Sequence, residues 1–509
     1  MEIRIWMKAA RTSIWKRNYS QNGKETIAKR QIRSNVMKIT IDRANARQTI
    51  KGYGASACWW SQNVVQETTA KEICALLYGR DGLGLNIYRY NIGAGWDETN
   101  CRVANPWRRC ESFFVPQDEE KEEDFKGSYD FDRDGNAYQF LKRCLQTGSI
   151  DTVILFANSP HYSFTSSGQA SGSLMHHTCN LPFSNYEKYA DYFLDITAHF
   201  LEDGIPVTYI SPINEPQWKW GGKEVWQEGC HYEPQEVAAL FHIFAQKLEE
   251  RGLHGISLYG PESGEIGGLT DEYLRLFKKD EKIMKHLGVF ALHSYHADND
   301  TEIRKTFYKQ TVSENQGLRF DMSEWCELPC LHDVDDIGGA LITARIIGCD
   351  LCDLGAESWS AWVAVNQICD RGNGLDYSDG LLSATDGFSH YKICKRYYAM
   401  KHFAEFAPKG SRVLGNSKQE NGASVFLFET PDGEITAIAV NEGEEITLEI
   451  SGAGKCTQLA VTDADSDFNT LNSAEITEEI KLKRRSITGI RFRGEKHGDK
   501  TDRHCKDRL

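Results

Sequence analysis

Apolar residues gather along the chain into short runs that stop at a few polar or aromatic residues, and each stop leads into a turn and a longer amphipathic stretch. Eight runs are read as strands: Gly52–Cys58, Leu83–Ile92, Thr152–Asn158, Val207–Asn214, Ile256–Tyr259, Leu287–His293, Leu318–Ser323 and Cys352–Ser358. Several are separated by segments with apolar residues every three to four positions, the spacing of a helix with one buried stripe: Thr68–Tyr78, Tyr186–Leu201, Pro234–Arg251, Thr270–Lys279 and Ile337–Ile347. Strands alternating with helices pair in parallel, and eight such units close into a (β/α)8 TIM barrel, expected over residues 51–408 with Tyr391–Phe406 as its last helix. Beyond it the pattern changes to alternation at Ser424–Glu429, Glu434–Val440, Glu445–Ile450 and Ile487–Phe492, with Gly, Asp and Asn at the turns. These read as half-buried strands of a β-sandwich over 409–495. An N-terminal segment, 37–50, carries a strand at Lys38–Asp42 that is expected to join the sandwich.

The ends are set aside. Residues 1–36 hold nine Lys/Arg against two Asp/Glu without periodicity and read as a disordered tail, with Met37 as an alternative start; 496–509 read as a second flexible tail. The acidic run Asp118–Asp124 reads as a solvated loop.

Composition narrows the classes. The chain is 40% hydrophobic and 11% aromatic, which excludes disorder, and its net charge of −14 repels polyanions, so nucleic acid is not expected as a partner. No run of about 18 apolar residues predicts a membrane span, and no export signal is read. Fifteen cysteines, an odd number scattered over the length, fit a reducing compartment, so a cytoplasmic location is expected. Cys326-x3-Cys330 and Cys349-x2-Cys352 lack a second pair nearby and read as structural thiols. No metal and no cofactor are expected, and the sequence leaves the oligomeric state open.

In such a barrel the chemistry sits where the strands end. The stops are Arg89-Tyr-Asn-Ile-Gly, Asn158-Ser-Pro, Asn214-Glu215-Pro216, His293-Ser-Tyr295, Ser323-Glu324-Trp325 and Glu357-Ser-Trp359-Ser-Ala-Trp362. Glu215 and Glu324 each end an apolar strand, where a charge is costly unless function or pairing compensates. Their positions place them on strands four and seven, facing one another across the barrel mouth. Two facing carboxyls suit glycosidic cleavage: one protonates the leaving oxygen and the other attacks the anomeric carbon. A buried ion pair is the alternative for either residue alone.

With these motifs the chain resembles glycoside hydrolase family 30, within the retaining (β/α)8 glycosidases, over about residues 38–495. The resemblance implies Glu215 as acid/base and Glu324 as nucleophile. It implies Arg89 as the arginine beside the nucleophile, Asn214 as the partner of the sugar 2-hydroxyl, and Tyr295 as a hydroxyl near the nucleophile, with His293 on the same strand face. Trp362 resembles the sugar-stacking tryptophan after strand eight, and Asn158 and His161 occupy the place of a subsite-lining loop. Trp59 and Trp60 serve either as a platform for sugar or as loop packing, and Trp60 is carried as a candidate. The stretch Phe156–Gly168 and the loop Trp220-Gly-Gly-x4-Gln227-Glu228-Gly229-Cys230-His231-Tyr232 resemble most the endo-β-1,6-galactanase branch, with Glu228 otherwise a surface residue of a structural strap. The expectation is a retaining β-glycosidase acting on β-linked galacto-oligosaccharides or galactan, with a carbohydrate as its partner. The same machinery on another sugar (β-glucosidase, β-xylosidase, β-fucosidase or glucosylceramidase) is the alternative. A silent sugar-binding protein would not need both carboxylates, and a metal site at His293, His296 and Glu324 matches no standard ligand spacing. The sandwich reads as a buttress in preference to a sugar-binding module.

Overall fold

A computed structural model of the chain describes residues 35–98, 101–116, 128–175, 178–222, 225, 227–472 and 479–493. The basic leading segment to residue 34, the acidic run 118–124 and the tail 496–509 lie outside the described residues.

Eight strands close a barrel: Gly52–Ser56, Ile87–Asn91, Thr152–Phe156, Val207–Ser211, Ser257–Ser263, Leu287–His293, Arg319–Trp325 and Ser358–Ala361. Each pairs in parallel with the next, and the eighth returns to the first with Ser358 opposite Gly52. Inward-facing residues climb from apolar to polar along each strand. Ile87, Ile154, Tyr259, Val289 and Ala291 form one small inner cluster. Two positions further on, the same faces carry Arg89 and His293, because successive side chains alternate across a strand. A register shift after Leu292, which pairs with Met322 before His293 pairs with Glu324, turns Glu324 into the mouth.

Three elements differ from the sequence reading. The eighth strand begins at Ser358, and the apolar run Cys352–Leu354 lies in a π-helical turn, Asp350–Leu354. A short apolar run does not distinguish a buried strand from a buried helix end, and here the flanking carboxylates mark the latter. Asp350 takes Arg304 and Ser294, and Asp353 takes Ser417. Residues His390–Ile393 form a strand, with the final helix starting at Lys395. The helix Gly135–Leu145, not read from the sequence, buries Phe140 and Leu141 in the main core, with Phe140 against Trp60.

The C-terminal region forms two sheets. Val36–Thr40 pairs in parallel with Ile446–Ser451, which pairs with Ile480–Leu482. Ala46–Thr49 instead edges the larger antiparallel sheet beside Arg412–Leu414. The segment 37–50 thus supplies a strand to each sheet. Strands Ala423–Glu429 and Ile435–Asn441 are buried along their whole length, not half-buried. Val425, Leu427, Ala437 and Ala439 face the small sheet, while Phe426, Phe428, Ile438 and Val440 belong to the barrel core. The larger sheet is therefore a middle layer, packed on helices Ile337–Cys349 and Lys395–Phe406. Close approach requires glycine at two points: a Cβ on Gly348 would lie 2.3 Å from the Phe426 ring, and one on Gly489 would lie 2.3 Å from Phe406. Among the described residues no helix is long and apolar enough to cross a membrane.

Candidate active site

At the C-terminal mouth of the barrel three carboxylates meet two cations in a buried cluster. Arg89 is the hub. Its Nη1 donates to Glu324 Oε2 at 2.8 Å, and its Nη2 donates to Asn214 Oδ1 at 2.9 Å and Glu262 Oε1 at 3.2 Å. The guanidinium also lies 3.7 Å from the centre of the Phe156 ring. Burial alone would lower Arg89, but Glu262 and Glu324 outweigh it and hold the guanidinium above its ordinary range.

His293 bridges the same carboxylates from the other side, with Nδ1 3.1 Å from Glu215 Oε1 and Nε2 3.2 Å from Glu262 Oε2. Burial works against its charge, yet Glu324, Glu215 and Glu262 together push it up to about 10. Glu262 is buried too, but Arg89 and His293 hold it down at about 2. Ser211 and Ser323 complete its hydrogen bonds. With both cations charged, three carboxylates leave one negative charge in excess. Burial pushes Glu324 up to about 7 against the opposing pull of His293 and Arg89.

The backbone is committed to this arrangement. Glu215 and Glu262 have positive φ, 45° and 57°, and the Glu215 amide donates to the Glu262 carbonyl at 2.9 Å. Left-handed conformations at non-glycine residues cost of order 1–3 kcal/mol and persist where surrounding bonds over-determine them. Oxygens of Glu215 and Glu324 and a nitrogen of His293 lie within 4.8 Å of one another. Close approach of carboxyl groups, about 5–5.5 Å against 6.5–9.5 Å, is the retaining geometry. The same trio is no ready metal site. Both ring nitrogens of His293 engage carboxylates and the ring is held protonated, so it has no lone pair to offer.

Glu215, Glu324, Tyr295 and Trp362 border a cleft of about 260 Å3, joined by Trp218, Trp220, Gln227, His296, Asp298 and Leu328. Tyr295 donates its hydroxyl to Glu324 Oε1 at 3.2 Å. Trp362 is braced edge-on by Trp59, with ring centres 5.4 Å apart. Three expected residues stand elsewhere. Trp60 is fully buried, donates Nε1 to the Ser56 carbonyl and abuts Phe140; it is core packing, not a sugar platform. His161 is enclosed by Phe114 and Phe164, and burial pushes it down to about 3. Its Nδ1 meets Ser163, and it caps the turn Tyr162–Phe164. Asn158 lies beneath the mouth, bonded to Cys58 Sγ and Asn91 Oδ1.

Glu228 is not a surface residue. It is 2% exposed, accepts from the Ala94 amide at 3.0 Å and Asn91 at 3.3 Å, and burial raises it to about 7. Glu262 does not stand out in the strand pattern, because the apolar run Ile256–Tyr259 stops short of it. Continued through Gly260-Pro261, the run terminates at a glutamate just as strands four and seven do.

Residues 36–272 match the family described as O-glycosyl hydrolase family 30. An endo-beta-1,6-galactanase from Hypocrea rufa is 28% identical over 394 residues, 74% of this chain and 76% of that protein. An exo-beta-1,6-galactobiohydrolase from Bifidobacterium longum subsp. longum is 29% identical over 174 residues, 29% of this chain and 11% of that protein. Among solved structures, a conserved exported protein from Bacteroides fragilis superposes with a TM-score of 0.76 at 22% identity, covering 89% of this chain and 99% of its own.

Proposed function

We propose that this chain, whose residues 36–272 match O-glycosyl hydrolase family 30, is a member of that family and cleaves β-1,6-linked galactose chains with retention through Glu324 and Glu215. The observation that carries the assignment of roles is the asymmetry of donors around the two carboxylates. Glu324 receives Arg89 and the Tyr295 hydroxyl, both of which stabilise its ionised form. Neither of these donors reaches Glu215, so Glu324 is assigned as the nucleophile and Glu215 as the acid.

In the first step Glu324 attacks the anomeric carbon as Glu215 protonates the departing oxygen, giving a glycosyl-enzyme. In the second, Glu215, now ionised, takes a proton from water, which attacks the same carbon and releases Glu324. His293, charged and bonded to Glu215 and Glu262, offsets the negative charge that Glu215 acquires between the steps. Arg89 orients the Asn214 amide, whose oxygen it engages, leaving the Asn214 NH2 available for a sugar hydroxyl. Trp362 supplies an apolar face for the ring.

The galactan assignment is supported by the Hypocrea relative, matched over most of both chains. The scatter of fifteen cysteines supports placing the protein in a reducing compartment. The test is product analysis by mass spectrometry with β-1,6-galacto-oligosaccharides and a panel of aryl β-glycosides. Cleavage of the galacto-oligosaccharides by wild type and not by Glu324→Gln is the expected result. Cleavage of a different sugar alone would leave the mechanism standing and overturn the substrate.

A further inference from the structure

The strand-four loop brings one more polar side chain to the cleft than the chemistry above uses. Gln227 borders the cleft and is half-buried, and its amide makes no hydrogen bond to a described residue. Its place on the wall is fixed by the residues that follow it. Glu228 is buried and accepts from the Ala94 amide at 3.0 Å and from Asn91 Nδ2 at 3.3 Å, while Asn91 Oδ1 accepts from Asn158 at 3.2 Å. The Gly229 amide donates to the Ala170 carbonyl at 2.9 Å, and a Cβ on Gly229 would lie 2.3 Å from the Trp220 ring. An amide left without a partner on a segment pinned this firmly is already placed for a ligand, with little ordering left to do on binding.

The wall that carries Gln227 also carries the acid. Trp220 donates Nε1 to the Glu215 carbonyl at 3.1 Å, and a Cβ on Gly264 would lie 2.5 Å from Trp218 Nε1 and 2.9 Å from Glu215 Oε1. Both indoles border the cleft. The acid has to reach the departing oxygen, so the sugar that leaves lies along the acid's wall, while the ring that is transferred lies over Glu324. A side-chain amide donates and accepts at once, which suits the neighbouring hydroxyls of a sugar, and indole faces suit its C–H surface. We propose that Gln227 binds the hydroxyls of the departing sugar and so favours substrates whose leaving group is itself a sugar, galactose in the chains assigned above. The inference rests on the reading of Glu215 as the acid and of galactan as the substrate.

The test compares two substrates that differ in what departs. One is β-1,6-galactotriose, which releases a sugar, and the other is p-nitrophenyl β-1,6-galactobioside, followed by release of nitrophenol. The quantity read is the ratio of kcat/KM on the first to kcat/KM on the second, in which any change in the folded fraction cancels. Loss of one neutral hydrogen bond in Gln227→Ala should lower this ratio about three- to tenfold against wild type, chiefly through KM on the triose. Gln227→Met, which keeps the length of the side chain and removes the amide, should lower it equally. A ratio unchanged in Gln227→Ala, as an equal loss on both substrates would give, overturns the proposal. So does a fall in Gln227→Ala that Gln227→Met does not share, because bulk and not hydrogen bonding would then be responsible. The substrate reading fails separately, in the wild type: if it leaves both galactosides intact, galactan falls, and the ratio is read on the oligosaccharide and aryl glycoside of the sugar it does cleave.

Discussion

Glu262 carries no expected role in bond cleavage, yet the charge balance of the site depends on it. Removing one partner of a buried ion pair costs about 3–5 kcal/mol, because the remaining charge is stranded. Glu262→Gln is accordingly expected to lower stability by about that amount in chemical denaturation, with Arg89 and His293 left under-neutralised. The pH dependence follows from two shifts of opposite kind. Glu262, held at about 2, contributes stability that is present above the usual glutamate value, about 4.3, and is lost as pH falls toward 2. His293, held at about 10, contributes stability that is complete below about 6.5 and is lost as pH rises through 10. The melting temperature should therefore plateau between about pH 4.5 and 6.5, and Glu262→Gln should flatten the acid side. A wild-type acid limb unchanged by that substitution would contradict the charge assignment. Rate has its own limb. Burial holds the Glu324 carboxyl up at about 7, so kcat/KM should fall below about pH 7 as the nucleophile takes up a proton. Glu215→Gln on an aryl glycoside with a good leaving group should keep an acidic limb and lose less than the 10²–10⁴-fold typical of acid catalysis.

At the scale of elements, the strand ends were the readable part of the sequence. Glu215 and Glu324 stood out because a carboxylate closing an apolar run has few innocent explanations. Glu262 did not, because Gly260-Pro261 looks like a turn although both residues lie within strand five. Trp59 and Trp60 could not be separated by pattern, since adjacent side chains point in different directions and only the neighbours decide which one braces Trp362. Glu228 looked solvated because its loop is polar, but the loop folds inward onto the Ala94 amide. Trp60 and Trp362 offer a contrast that tests this division. Trp60→Ala should cost about 3–5 kcal/mol of stability with kcat/KM per folded molecule nearly unchanged. Trp362→Ala removes a ring that is itself largely buried and should also cost stability, but unlike Trp60→Ala it should raise KM, as expected for a residue at the cleft. A KM change from Trp60 matching that from Trp362 would return Trp60 to the binding surface.

Across the whole molecule, one face of the larger sheet joins the barrel core and its other face forms a second core with the small sheet. The barrel rhythm and the later strands were legible from periodicity, but the middle-layer character of Ala423–Glu429 was not, because a strand buried on both faces has no alternation to reveal which side meets what. Gly348→Ala, at the contact with Phe426, should destabilise by about 1–3 kcal/mol through overpacking. It should lower a single cooperative melting transition, and two separated transitions would show that the layers unfold independently. The central claim concerns which carboxylate attacks, and azide answers it through stereochemistry. In Glu324→Gly, azide occupies the vacated space and should restore activity on an activated aryl β-galactoside, giving the α-galactosyl azide by one inversion. In Glu215→Gly, azide should intercept the glycosyl-enzyme and give the β-galactosyl azide by two. The account predicts this pair of products, and a β-azide from Glu324→Gly with an α-azide from Glu215→Gly would reverse the roles assigned to the two residues.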